Sequence, residues 1–165
     1  MSPVVAMEVP LNEVGELVIR GPNVMKEYWK RPEATKEAFS GDWFHSGDMA
    51  RMDEDGDLYI VDRKKDMFIS GGENVYPAEV ENAIFELPQV AEVAVIGVKD
   101  EKWGEVGRAV VALKAAGTLT EAEILDSLKS RLAKYKVPKS VVFVDQLPRN
   151  AAGKVLKNVL REKFP

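Results

Sequence analysis

The sequence predicts an α+β protein, with a short mixed or antiparallel sheet packed with helices and a β-hairpin segment ahead of it. Three observations predict this. Short strand-like runs punctuated by Gly and Pro precede residue 71 and read as hairpins rather than as a βαβ unit. From Pro77 onward the apolar periodicity follows the order helix, strand, strand, helix, strand. The charge balance then changes sign at Asp62-Arg63-Lys64-Lys65. Residues 1–62 carry 6 Lys/Arg against 13 Asp/Glu, a net −7, and residues 63–165 carry 17 against 14, a net +3. Such a break suggests two units with different partners, the basic one better suited to an anionic ligand. Short acidic loops in the first part would account for it equally well.

The elements follow in chain order. Glu16 to Arg20 reads as a short strand ended by Gly21-Pro22. Residues 23–39 are polar and aromatic, and Pro32 prevents one long helix there. Asp53-Glu-Asp-Gly56 is a turn signal leading into a strand at Leu58 to Val61. Met67 to Ser70 is a short strand running into Gly71-Gly72. Pro77 sits where a helix favours its first residue, and Val80, Ala83, Ile84 and Leu87 repeat at helical spacing. Strands are expected at Val90 to Val98, Gly107 to Leu113 and Ser140 to Val144. Between the last two, Thr120 can cap a helix with Glu123 three residues on and an apolar face of Ile124, Leu125, Leu128 and Leu132. That face reads as core. A Gly-containing loop and a basic tail end the chain.

Composition narrows the function classes. The chain has 165 residues, 45% hydrophobic and 30% charged, as expected of a folded globular protein. No apolar run approaches the roughly 20 residues needed to span a bilayer. The first sixteen residues show no basic flank before an apolar core, so they do not read as a secretory signal. The absence of cysteine removes disulfides, thiolate catalysis and thiolate-bound metals. One histidine, His45, makes a histidine-based metal site a poor fit, and no metal-ligating set is expected.

Four stretches carry the chemistry, and their order is more specific than any one of them. They are Trp43-Phe-His-Ser-Gly-Asp48; Asp62-Arg-Lys-Lys-Asp66 running on as Met-Phe-Ile-Ser-Gly-Gly-Glu-Asn-Val-Tyr-Pro-Ala-Glu79; Glu101-Lys-Trp-Gly-Glu105; and Leu147-Pro-Arg-Asn-Ala-Ala-Gly-Lys154. Over about Gly15 to Lys163 the chain resembles the C-terminal end of the adenylate-forming enzymes: acyl-CoA synthetases, luciferases and peptide-synthetase adenylation domains. Its texture is most like that of fatty-acid and related CoA ligases.

The resemblance implies a division into residues 1–62, the β-rich end of a large domain; 63–66, a hinge; and 67–165, a mobile small domain. It implies that Asp48 accepts hydrogen bonds from the ribose hydroxyls of ATP, where a carboxylate after Ser-Gly would otherwise cap a turn. Arg63 is expected to reach the ribose and phosphate region, and Lys65 matches the hinge pivot. Gly71, Gly72 and Glu73 are expected to line the channel for the pantetheine arm of coenzyme A, with Gly72 forming its wall. Lys154 is expected to bridge the substrate carboxylate and the α-phosphate during adenylation. Asn-Ala-Ala stands where Asn-x-Thr is commoner, and the loop turn is taken to depend mainly on Gly153. His45 reads as structural, and Trp103 as a packing aromatic.

The expected parent reaction joins a fatty or related carboxylic acid to coenzyme A with ATP, releasing AMP and pyrophosphate. Mg2+ is expected to come with ATP, without ligands in this stretch. The phosphate loop and acyl pocket of the family precede its first motif found here, so the chain is expected to be a C-terminal piece, inactive alone, and to work in the cytoplasm without nucleic acid. An open sheet edge in residues 1–62 makes pairing into a homodimer one expected outcome. Two other readings stay open: delivery of the acyl group to a carrier protein or to oxidative chemistry, and a non-catalytic binding module.

Overall fold

The computed structural model describes residues 9–115 and 117–165 in full and residues 4–6 by their backbone. Part of the N-terminal stretch read above for a signal therefore lies outside the described residues. The chain divides into two compact units, Met1–Lys65 and Asp66–Pro165.

The first unit is an antiparallel sheet with one short helix. Its elements are β1 (Val4–Ala6), β2 (Gly15–Arg20), α1 (Pro32–Ala38), β3 (Phe39–Ser40), β4 (Trp43–Met52) and β5 (Leu58–Arg63). The strand order is β1-β2-β4-β3, with β5 also paired to β4. The long strand β4 is not evident from sequence, because Trp43 to Asp48 is polar and glycine-containing; pairing with β2 on one side and β3 and β5 on the other imposes it. Pro32 does more than interrupt a helix: it opens α1, where its missing N–H costs nothing. Asp53 closes the β4–β5 turn, its Oδ1 accepting from the amides of Asp55 (3.1 Å) and Asp57 (2.9 Å).

Apolar burial in this unit is thin. Met49 and Ala50 are its only buried apolar side chains among the described residues, while Leu58, Tyr59 and Ile60 lie exposed on β5. Polar contacts take up part of the work. The mostly buried Glu16 of β2 uses one oxygen to accept from His45 Nδ1 (2.9 Å) and Lys64 Nζ (2.7 Å), tying three segments together. Burial pushes the Glu16 carboxyl up, but the hydrogen bonds from Lys64 and His45 outweigh it and hold the group below its ordinary 4.5.

The second unit contains β6 (Phe68–Ser70), β7 (Glu73–Val75), α2 (Pro77–Phe85), β8 (Val90–Asp100), β9 (Gly104–Leu113), α3 (Glu121–Lys129), β10 (Ser140–Phe143) and α4 (Lys157–Lys163). The sheet runs β10-β9-β6-β7 with β8 also on β9, and β10 alone lies parallel to its neighbour, so the sheet is mixed. Helices cover both faces. Val95, Ala109 and Val111 face a core built with Val80, Ile84, Ile124 and Leu128 of α2 and α3. Ala94, Ile96, Val106 and Val110 face a second core with Leu147 and Leu160 of α4. Burial on both sides explains why β8 reads as a near-continuous valine run instead of alternating.

The basic tail is therefore more than a tail: α4 lays Leu160 on the second face. The capping box forms as expected, with Thr120 Oγ1 accepting from the Glu123 amide (3.3 Å) and Glu123 accepting from the Thr120 amide (2.8 Å). The Thr120 backbone hydrogen bond holds the Glu123 carboxyl below its ordinary range.

Three outcomes are expected. Replacing Thr120 by Ala should cost the second unit about 1 kcal/mol in urea unfolding, with Glu123→Ala costing less than the sum when combined. Limited proteolysis should cut first within residues 1–66 and leave a resistant core beginning near Met67, because the second unit holds both apolar cores; a resistant piece that keeps residues 1–62 and loses the chain after Pro77 would contradict this. The third concerns pH. Glu16 titrates below its ordinary value in the folded chain, so its contribution is complete above pH 4.5 and is lost as pH falls through the depressed value. Unfolding of the native chain and of Glu16→Gln should differ by about 1 kcal/mol at pH 7, and the difference should vanish once pH has fallen below the depressed value of Glu16.

Candidate functional site

In the first unit the site is set by the kink in β4. Gly47 adopts φ +71°, and Ser46 fixes the turn by donating from Oγ to the Leu17 carbonyl (2.7 Å) and accepting from the Asp48 amide (3.0 Å). Asp48 then lies opposite Arg63 in the β4–β5 register. Arg63 Nη1 donates to Asp48 Oδ1 at 2.6 Å and to the Ser46 carbonyl at 3.3 Å. Both side chains are partly exposed, so the pair adds little stability. Its consequence is orientation: Asp48 is held with its second oxygen without a protein partner among the described residues, open to hydroxyl donors.

Beside this pair is a cleft of about 600 Å³, lined among others by His45, Ser46, Gly47, Arg63, Lys64 and Lys65. Glu16 and Glu37 line the same cleft, Arg63 is paired with Asp48 and Lys64 with Glu16, so Lys65 is the basic side chain of its rim that no carboxylate holds among the described residues. His45 is committed to Glu16, in line with a structural role. Lys65 is exposed.

In the second unit Gly71 and Gly72 form the two-residue turn of the β6–β7 hairpin, with φ of +62° and +91°. Positive φ at both central positions is the type I′ requirement that selects glycine. The glycines differ in one respect that sequence did not reveal. A Cβ on Gly71 would lie 2.5 Å from Trp103 Cε3, whereas a Cβ on Gly72 meets nothing within 4 Å. Trp103 packs on the second core and forms the seat for the turn, and the Gly71 amide donates to the Trp103 carbonyl at 2.9 Å. Glu73 follows, exposed, on β7.

Lys154 is presented by a different loop. Leu147 anchors its start in the second core. Asn150 organises the rest: its Oδ1 accepts from the amides of Ala152 (3.0 Å) and Lys154 (2.9 Å), and its backbone amide donates to the Lys154 carbonyl at 2.9 Å. Arg149 ties the loop to Glu92 of β8 and donates to the Gly153 carbonyl at 2.7 Å. Gly153 turns at φ +78°. The loop thus depends on Asn150 as much as on the glycine that sequence reasoning singled out; the Asn side chain's habit of bonding its own downstream amides was the available signal. Lys154 stands exposed at the end, its ammonium without a hydrogen-bond or ion-pair partner among the described residues.

The expected residues therefore fall in three places. Asp48 and Arg63 are in contact, with Lys65 close by in the chain; Gly71, Gly72 and Glu73 share one hairpin; and Lys154 has its own braced loop. Among the described residues, no group of three or more His, Asp or Glu is arranged to hold a metal ion, and no helix is long and apolar enough to cross a membrane.

Comparison with known proteins agrees with this architecture. Residues 79–154 match the family described as the AMP-binding enzyme C-terminal domain. A feruloyl-CoA synthase from Amycolatopsis sp is 56% identical over 94% of this chain, and the match covers 32% of that protein. The long-chain-fatty-acid–CoA ligase FadD13 of Mycobacterium tuberculosis is 53% identical over 91% of this chain and 30% of its own length. Among solved structures, the o-succinylbenzoate CoA synthetase of Bacillus subtilis, in complex with its acyl-adenylate intermediate, superposes with a TM-score of 0.90 at 42% identity, covering 97% of this chain and 34% of that one. The chain spans about a third of the length of these relatives. With an α+β unit of the same fold and the C-terminal motifs in order, the chain belongs to the adenylate-forming enzymes and carries their AMP-binding enzyme C-terminal domain.

Proposed function

We propose that this chain is the C-terminal part of an ATP-dependent acyl-CoA ligase that activates a carboxylic acid as its acyl-adenylate and transfers the acyl group to coenzyme A. The observation that carries the reading is the loop of Lys154: a braced turn that spends its hydrogen bonds on holding itself and leaves one ammonium free. In the first half-reaction the acid's carboxylate oxygen attacks the α-phosphorus of ATP and pyrophosphate leaves. Negative charge gathers on both groups, and a mobile ammonium between them offsets it, a contribution of about 3 kcal/mol or more. Asp48 accepts the ribose hydroxyls, oriented by Arg63, whose guanidinium also faces the phosphates. Mg2+ would accompany ATP; the described residues supply no carboxylate cluster that fits it.

In the second half-reaction the thiol of coenzyme A attacks the acyl carbonyl and AMP leaves. Gly71, Gly72 and Glu73 line the approach of the pantetheine arm. Residues 1–62 belong to the large domain and 67–165 to the mobile one, joined by the hinge at 63–66 with Lys65 as its pivot. The named relatives are a feruloyl-CoA synthase and a long-chain-fatty-acid–CoA ligase, which supports a carboxylic acid as the substrate class. A cytoplasmic location is part of this proposal, since ATP and coenzyme A are both available there.

The test uses the full-length protein and separates the half-reactions. Lys154→Ala should slow acid-dependent pyrophosphate release by about a hundredfold or more, while thioester formation from supplied acyl-adenylate changes only a few-fold. Gly72→Leu should give the reverse pattern, and Gly72→Ala separates the backbone cost at φ +91° from obstruction by a longer side chain. Equal losses in both half-reactions for Lys154→Ala would sink the assignment.

A further inference from the structure

We propose that Glu16 and Asp66 are positioning residues that clamp the chain on either side of Lys65 and confine the flexible joint to that single residue. On one side, Lys64 is tied into the first unit twice: its Nζ donates to Glu16 at 2.7 Å, and its amide donates to the Gly47 carbonyl at 2.9 Å. Glu16 is a firm anchor, with its side chain 15% exposed on β2 and the same oxygen also bonded by His45. On the other side, Asp66 is 13% exposed and accepts from Arg161 Nη2 of α4 at 3.1 Å, within the second unit. The boundary between the units falls between Lys65 and Asp66. Lys65 alone in this run is exposed and without a hydrogen bond or ion pair among the described residues.

The physical consequence is a count of soft dihedrals. Each peptide plane is rigid, so every free residue contributes two rotatable angles. A joint of three free residues would diffuse among many orientations, whereas one free residue flanked by two anchored neighbours moves along a narrow set of paths. The ion pairs matter here through the residues they immobilise and not through the stability they add. The inference rests on the reading of Lys65 as a pivot, and it assigns to Glu16 and Asp66 the task of keeping the pivot short.

Nuclear magnetic resonance on this 165-residue chain tests it without any nucleotide or acid, so its failure is separate from failure of the ligase reading. Backbone order parameters should be near about 0.85 at Lys64 and Asp66 and below about 0.6 at Lys65. Lys64→Met should speed amide exchange at position 64 by roughly five-fold, Lys64→Arg should restore protection, and Glu16→Gln should match Lys64→Met. Asp66→Ala should extend low order to positions 66 and 67. The urea midpoint of the second unit should not move in the Lys64 variants, which separates local release from general loosening. Low order spread across residues 64–66 in the unaltered chain, or unchanged exchange and order in Lys64→Met and Asp66→Ala, overturns the proposal.

Discussion

The pairing of β8 with β9 is the constraint on which the second unit depends. The two strands run antiparallel from Val90↔Leu113 to Asp100↔Gly104. Because side chains alternate across a sheet, one ladder supplies two apolar faces, and each must be covered. α2 and α3 cover one, and α4 with Leu147 covers the other. The candidate chemistry is attached to this ladder. The Lys154 loop starts from Leu147 and is tied by Arg149 to Glu92 of β8, while Trp103, at the β8–β9 turn, seats the Gly71 hairpin. A register slip of one residue would exchange the two faces and displace both loops together.

The two units solve the problem of order differently. The second buries Ile84, Ile96, Ile124, Leu128 and Leu160 completely. The first buries Met49 and Ala50 and otherwise relies on strand pairing and on polar groups that satisfy one another, as in Glu16 with His45 and Lys64. Apolar contact is non-directional and tolerates small displacement, whereas a hydrogen-bonded carboxylate fixes direction. The role proposed for Asp48, accepting from paired hydroxyls, calls for the second kind of order, and the Ser46–Asp48–Arg63 arrangement is of that kind.

Legibility in the sequence followed the same division. Where local pattern and burial agree, the elements could be read: α2 from Val80, Ala83 and Ile84, α3 from its capping box, and β8 and β9 from their valines. The elements that escaped are those created by partners. β4 is polar at its start and becomes a strand through neighbours on both edges. The β7 partner of β6 was hidden in a motif read for its glycines, and α4 was masked by its lysines although Leu160 is buried. For the candidate site, sequence supplied residue types and their order, whereas the contact between Asp48 and Arg63 comes from the strand register. What was not legible was the support: Asn150 under Lys154, Ser46 under Asp48 and Trp103 under Gly71. Such support depends on distances that sequence spacing does not encode.

The contact between Gly71 and Trp103 also sets terms for how the chain can drift over generations. The indole occupies the space that any β-carbon at position 71 would need, at 2.5 Å. The two positions are therefore a lock and its mould, and neither is free to vary alone. A lineage that exchanged Trp103 for a smaller side chain would leave a void under the turn and, in the same step, free room at position 71. The φ of +62° there would still favour Gly or Asn over other residues. Correlated change at these two positions, about thirty residues apart along the chain, is the trace such packing leaves in sequences.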